Sequence, residues 1–329
     1  AYAVGISGLG DEAITVSGGA ISVADANTVA GLTTGVVTAT ITEGDLATLA
    51  NLTETGNAYT ITVTDTTASA AALTALDGKT TVAVNASAVT SVTGTYAEVS
   101  TLYAAGDAGT ITGLGNEAVD VSGSLTVSEA NAIAAKTTGA VTASLSSTSL
   151  ADYAALTETG NIYSISIADT SIDAAALRAL DAKTTGLVTL TGATSVSGSY
   201  ADVNAVLTAA GTAITGWSNP AVTVTGTVSA TEANTVAGLT TGIVTATIVA
   251  GSAASINAAL TNASATDALT ITLTDATVAA TDLSGLNGKT SVDVNATSVS
   301  TVTGTVAALQ AAYAVGISGL GDEAITVSG

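Results

Sequence analysis

The stretch ISGLGDEAITVSG at residues 6–18 returns as ITGLGNEAVDVSG at 111–123, as ITGWSNPAVTVTG at 214–226, and unchanged at 317–329. The four starts, Ile6, Ile111, Ile214 and Ile317, lie 105, 103 and 103 residues apart. Around the outer copies the identity is longer, because AYAVGISGLGDEAITVSG fills both 1–18 and 312–329 without a change. A fixed period of this size means modules whose apolar faces are completed by their neighbours, and it argues against a single catalytic domain. The chain therefore divides into the end of a preceding repeat (1–5), three units (6–110, 111–213, 214–316) and the start of a next period (317–329). Residues 1–5 match the tail of a helix-like segment that begins near Thr305, so we expect a window on a longer array.

Each unit resolves into four modules, an alternating stretch followed by a helical one. In the third module Tyr59, Ile61 and Val63 alternate with Thr60, Thr62 and Thr64, the period-two pattern of a strand with one buried face. Ala68, Ala72, Leu73 and Leu76 then recur at helical spacing, and Asp77-Gly78-Lys79-Thr80 predicts a helix stop with a left-handed Gly and a Lys facing the helix C-terminus. Tyr163/Ile165/Ile167 with Leu177/Leu180, and Leu269/Ile271/Leu273 with Leu283/Leu286, keep the same phase. First modules carry a hydroxyl three residues before a carboxylate (Ser22/Asp25, Thr126/Glu129, Ser229/Glu232), which predicts capping boxes, and their helices are expected to end at the Thr-Thr-Gly of Gly35, Gly139 and Gly242. Second modules run from a strand around Val37, Ala39 and Ile41 to a helix carrying Leu46, Leu49 and Leu52; fourth modules offer two extended pieces before a helix starting at Tyr96. Strands every 22 to 30 residues, each followed by a short helix, predict an α/β solenoid with parallel sheet, resembling the leucine-rich-repeat architecture without its consensus Asn. A mostly β solenoid with compact turns in place of helices is the alternative.

Composition sets the function classes. Hydrophobic residues make up 47 %, almost all Ala, Val, Leu and Ile, with no Phe, no Met and one Trp, so the core is one of small side chains in close layers. Cys and His are both absent, which excludes disulfides, thiol chemistry, His metal sites and Ser–His catalysis. Five basic residues face 26 acidic ones, a formal charge of −21 that repels nucleic acid and anionic membrane. No apolar run is long enough to predict a spanning helix.

Four motifs bear on chemistry. Gly78-Lys79-Thr80 and Gly288-Lys289-Thr290 look like the end of a phosphate loop, but Leu73 and Leu283 stand where its first Gly is required. Gly8-Leu9-Gly10 is followed by the alternating Ala13-Ile14-Thr15-Val16 where a dinucleotide fingerprint needs a helix, and reads as a turn. Asp11-Glu12 could take calcium, yet its counterparts are Asn116-Glu117 and Asn219-Pro220, which favours a solvated acidic turn; no cofactor is expected otherwise. The outward threonines Thr38, Thr40, Thr60, Thr62, Thr64, Thr245, Thr247, Thr272 and Thr274 would line up as a surface ladder at strand spacing, the pattern that ice-binding solenoids present. Ala83, Asn85, Ser144, Ser146, Ser164 and Ser166 interrupt it, and Thr is in any case a favourable outward strand residue.

The strand–Asp–helix–Lys pattern, Thr62-Val63-Thr64-Asp65 followed by Leu73 to Thr80, resembles the giant Ala/Thr/Val/Gly-rich repetitive secreted and cell-surface proteins of bacteria, particularly marine cyanobacteria. The resemblance implies secretion, a very long parent chain and a role in a surface layer, fibre, adhesion or motility, and it brings no catalytic residues. We therefore expect a non-enzymatic structural segment of an extracellular filament or extended cell-surface protein. It would associate with itself end to end or laterally, without nucleic acid or membrane insertion. The alternative is a binding module whose Thr ladder recognises ice, glycan or mineral.

Overall fold

Of the apolar positions predicted to face inward in the third modules, Tyr59, Ile61, Val63, Leu73 and Leu76 in the first copy, and Leu269, Ile271, Leu273, Leu283 and Leu286 in the last, are each at most 4 % exposed, while Ala72 is half-buried. The threonines between them face out, giving alternating strands such as Val37–Thr40 and Val244–Ile248. The computed structural model describes residues 9–217 and 219–328. Among these it is an α/β protein with several parallel sheets and 11 α-helices in a repeat-like arrangement. It falls into two compact units. One holds the chain up to Ser147 with Ala155–Ile165 and Lys183–Gly186; the other holds Thr148–Ala154, Ser166–Ala182 and the chain from Leu187 on.

In the first unit Ile14–Thr15 pairs with Val37–Thr40, and Val37–Thr40 with Ala58–Thr60. Thr67–Ser69 pairs with Ser91–Thr95, which pairs with Ala118–Leu125, which pairs with Val141–Leu145. Alongside runs a second ladder, Val84–Asn85 with Ile111–Thr112. In the second unit Ser171–Asp173, Ser195–Gly198, Ala221–Val228, Val244–Ile248 and Ala268–Thr270 follow one another across one sheet. Thr277–Ala279, Thr301–Gly304 and Ala324–Val327 do so across another. All these pairs are parallel, and each joins a module to the next one along the chain.

Helices return the chain from one strand to the next. Their N-caps follow the predicted chemistry: Thr126/Glu129 and Ser229/Glu232 form complete capping boxes, as does Thr95/Glu98, while Ser22 accepts from the Asp25 N–H and donates to its carboxylate. The second modules are weakest here. Leu46–Leu49 is a single turn and Asp152–Ala155 is 3₁₀, because these segments offer too few helical residues to offset nucleation.

Several expectations are corrected. Gly78 and Gly288 are right-handed, at φ −66 and −70, as is Ala182 at −68, so the third-module helices end without a left-handed residue and tolerate Ala at the stop. First-module helices end at Ala30 and Ala134 in two copies, three residues before Thr33 and Thr137, whereas in the third the helix ends at Leu239, directly before Thr240, as expected; Thr-Thr-Gly has a further use in all three. Two strands per module are the rule in the third and fourth modules, and the first module has them as well, Ile111–Thr112 and Ala118–Leu125. The mostly β alternative with compact turns in place of helices fails, since 11 α-helices lie between strands among the described residues.

Ala118–Leu125 and Ala221–Val228 each carry a bulge. Their registers against the following strand slip between Asp120 and Ser124, and between Thr223 and Thr227, by two residues in each case. Gly123 and Gly226 turn the corner at φ +89 and +79. A slip of two preserves the alternation of faces, so Val121 and Leu125 both stay buried.

Candidate functional site

The polar side chains that recur in every copy lie between modules. Asn57 and Asn161 are buried, and the Oδ1 of each accepts the N–H of Val37 or Val141 in the preceding module, both at 2.8 Å. In the third copy Asp267 takes the place, accepting from Val244 at 2.8 Å, and its other oxygen accepts from Ser264 N–H at 2.8 Å. One module further on, the hydroxyls of Thr80, Thr184 and Thr290 accept from the N–H of Tyr59, Tyr163 and Leu269 at 3.0, 2.8 and 3.0 Å and donate back to the same residues' carbonyls. These groups sit where a strand enters the sheet and its first N–H would otherwise be buried without an acceptor.

A second row runs along the helices. Asn27 Nδ2 donates to Asn51 O at 2.7 Å and its Oδ1 accepts from Thr53 N–H at 3.0 Å; Asn131 repeats both bonds with Ala155 and Thr157. Asn234 varies the first bond, its Nδ2 donating to the Thr261 hydroxyl, and keeps the second, its Oδ1 accepting from Asn262 N–H. Asp65, Asp169 and Asp275 accept from the N–H of Leu46, Leu150 and Ala253 at 2.7, 2.6 and 2.6 Å, so each caps the helical turn of the module before its own. The lysines predicted to face their own helix ends reach back a module instead: Lys79 donates to Thr53 O, Lys183 to Thr157 O and Lys289 to Leu260 O. Carbonyls at the exit of one helix thus attract the cation of the next.

Thr-Thr-Gly is a latch. Thr33, Thr137 and Thr240 accept from the N–H of Gly35, Gly139 and Gly242 and donate to the carbonyls of Glu12, Glu117 and Pro220 in the same module's opening turn. A Cβ at Gly139 would fall inside the van der Waals radius of the Glu117 carbonyl and 2.6 Å from Ala118 N, so only Gly lets the two backbones meet.

The acidic pair read as a solvated turn is corrected in one copy. Glu117 is fully buried, its Oε2 accepting from Gly115 and Asn116 N–H at 2.7 and 3.0 Å and its Oε1 from the Tyr103 hydroxyl. Burial, then the bond to Glu117, pushes the Tyr103 phenol far above its ordinary value. Tyr313 and Glu323 repeat the pair, and Gly10 N–H donates to Glu12 Oε2. These carboxylates close their own turn, and among the described residues no group of three or more acidic side chains gathers to hold a cation.

The surface ladder residues Thr38, Thr40, Thr60, Thr62, Thr64, Thr245, Thr247 and Thr274 are exposed, and Thr272 is half-buried. The register sets them in short rows: Thr40 beside Thr60, Thr227 beside Thr247 beside Thr270, and Ser124 beside Ser144 beside Ser164. Thr38 lies beside Ala58, Thr245 beside Ala268, Thr62 beside Asn85 and Thr272 beside Asn295, which breaks the rows every two or three rungs. Tyr59 and Tyr163 bury their rings beneath this face, and desolvation, then Glu158, holds the Tyr163 phenol up at about 12. The inter-module Asn, Asp and Thr groups were the ones sequence reading missed; their signal was the same polar residue at the same place in two or three copies.

Among the described residues no helix is long and apolar enough to cross a membrane. No known protein family matches this chain, and neither a characterised protein nor a solved structure is significantly similar to it.

Proposed function

We propose that this chain is a structural segment of an extracellular filament or extended cell-surface repeat protein, without enzymatic activity, folded as a leucine-rich-repeat-like α/β solenoid. One observation carries the reading: the strand pairing and the bonds of Asn161 and Asp65 and their counterparts run from a module to its immediate neighbour in sequence order. Such nearest-neighbour bonding extends without limit as modules are added, which suits a load-bearing fibre or stalk. Among the described residues the recurrent polar groups bond to backbone of their own or the adjacent module, which supports a structural role for them. Net charge of −21 keeps the segments soluble and away from nucleic acid and anionic lipid, so the partners are further copies of the repeat.

The test is the axial period of the native assembly. About twelve modules per 311-residue period at roughly 4.7–4.9 Å each advance some 55–60 Å. Fibre diffraction or cryo-microscopy of material assembled from the chain should show that spacing, and a discrete particle with no axial repeat refutes the proposal.

A second reading, a surface that binds ice, glycan or mineral, draws on the exposed row of Thr227, Thr247 and Thr270. Thermal hysteresis abolished by Thr247→Tyr would favour it over the structural role; no hysteresis in the parent chain removes its ice-binding form.

A further inference from the structure

Two adjoining cavities of about 270 and 180 Å³ open beside the helix Tyr96–Ala108, and Tyr103, Asp107 and Lys136 line both. They lie inside the first compact unit. Here the repeat departs from its own pattern. Seven residues separate Tyr103 from Ile111, whereas six separate Leu207 from Ile214 and three separate Tyr313 from Ile317. The longer segment extends the helix, which runs 13 residues against nine in Tyr200–Thr208 and ends at left-handed Gly109, φ +77. Asp107 rides on the added turn, and neither 208–213 nor 314–316 contains an acidic residue. Facing it, Lys136 stands where the other units have Leu32 and Leu239, and its Nζ is 2.6 Å from Asp107 Oδ2.

This pair is unlike the polar groups that close the joints. Those bond to backbone, as Asn161 and Asp65 do, whereas among the described residues Asp107 and Lys136 bond only to each other. Their side chains are 64 % and 42 % exposed, and an exposed ion pair of this kind adds little stability. Asp107 Oδ1 and two of the three Nζ hydrogens are left for a ligand. A carboxylate in contact with an ammonium carries no net charge, and the chain's −21 repels anions, so the pair favours a neutral molecule. Neighbouring hydroxyls fit it, one donating to Asp107 and the next accepting from Lys136 without opening the ion pair. A zwitterion would have to break that contact to replace it. The second requirement of a sugar, apolar surface for its ring C–H groups, is met on both sides. Tyr103, fixed through its hydroxyl by Glu117, is common to the two cavities, and Leu114 extends the surface in the larger and Tyr96 in the smaller.

We propose that this groove binds a neutral saccharide, lying across the Asp107–Lys136 pair with its ring faces against Tyr96 and Tyr103. The site uses none of the exposed threonine rows and does not depend on the filament reading.

The full-length chain is titrated with glucose, galactose, mannose, N-acetylglucosamine and their disaccharides, followed by saturation-transfer NMR. Glucuronate, glucosamine and glycine serve as charged and zwitterionic probes. At least one neutral sugar should bind with a Kd of about 1 mM or tighter. Lys136→Leu and Asp107→Ala should each weaken that binding by about tenfold or more, since each removes a charge-assisted hydrogen bond. Arg178→Ala, which removes the exposed ion pair with Asp202, should leave it unchanged. Leu is the residue of the other units at this place, so Lys136→Leu keeps the fold and the test readable even if Asp107→Ala disturbs the helix end. Binding of no neutral sugar, tighter binding of glucuronate, glucosamine or glycine than of any neutral sugar, or affinity unchanged in Lys136→Leu overturns the proposal.

Discussion

Replacing Asn161 by Ala removes one side-chain acceptor and leaves the local backbone bonds in place. Asn161 is 4 % exposed and Val141, whose N–H it accepts at 2.8 Å, is fully buried. The carbonyl of Asn161 still receives Thr185 N–H at 2.8 Å, so the strand stays docked while the Val141 N–H is orphaned. An unsatisfied buried donor costs about 1–3 kcal/mol, which multiplies the local opening equilibrium by roughly 5 to 150. Hydrogen-exchange mass spectrometry of the peptide spanning Val141–Leu145 reads that factor directly. Exchange within about twofold of the parent would refute the role assigned to this side chain. The third copy sharpens the test. Asp267 works in this position because Ser264 supplies two donors to its second oxygen, but the residue at the Ser264 place in the second copy is Glu158. Asn161→Asp should therefore accelerate exchange, and adding Glu158→Ser should recover much of the loss. Additive effects would mean that the carboxylate and the hydroxyl are not coupled.

Leu180, 3 % exposed, holds the place that Leu76 and Leu286 hold in the other copies; Leu180→Asp should cost several kcal/mol and lower the melting temperature, and a variant that melts like the parent refutes the inward assignment. The Tyr59 hydroxyl is buried with no hydrogen-bond partner, and Leu fills the place in the third copy, so Tyr59→Phe should be neutral or stabilise by up to about 1 kcal/mol in chemical denaturation, whereas a clear loss would reveal a bond to that hydroxyl. The carboxyls of Glu98 and Glu232 are held below the ordinary 4.5 by the N–H of Thr95 and Ser229 first and by their hydroxyls second. A lowered folded value means that this support for the helix N-termini is complete above the ordinary value and is lost as pH falls through the lowered one. Carboxyl ¹³C titration should show both midpoints below 4.5, and a midpoint at or above it refutes the capping assignment.

Strand and helix were legible because both depend on a local period that each copy repeats. Ile165 and Leu177 are buried where alternation and helical spacing placed them. What sequence reading misassigned depends on contacts about twenty or more residues apart in the chain. Thr-Thr-Gly looked like a helix stop because Gly is common there, yet Gly139 is required by the Glu117 carbonyl, 22 residues earlier in the chain. Lys79 looked like a cap for its own helix, but its partner is Thr53, and Asp65 caps Leu46 rather than a residue of its own turn. The Thr face was readable in orientation and not in continuity, because which rung meets Ala58 or Asn85 is set by the register between modules, and a single strand carries no record of it.

Within-chain repetition does record which residues act together. Tyr103 pairs with Glu117 and Tyr313 with Glu323, while the corresponding places on either side of the boundary between the second and third units hold Leu207 and Pro220. Both members change at once, from a buried hydroxyl on a buried carboxylate to an apolar pair, as they must: either polar partner left alone would be desolvated without its bond. Asp267 with Ser264 against Asn161 with Glu158 is a second exchange of this kind. By contrast the backbone contact that both versions of the turn preserve, Thr137 on Glu117 O and Thr240 on Pro220 O, needs no particular side chain at the acceptor and survives the change. The constraint on these repeats therefore acts on the joint between modules, where a polar group is kept only together with its partner.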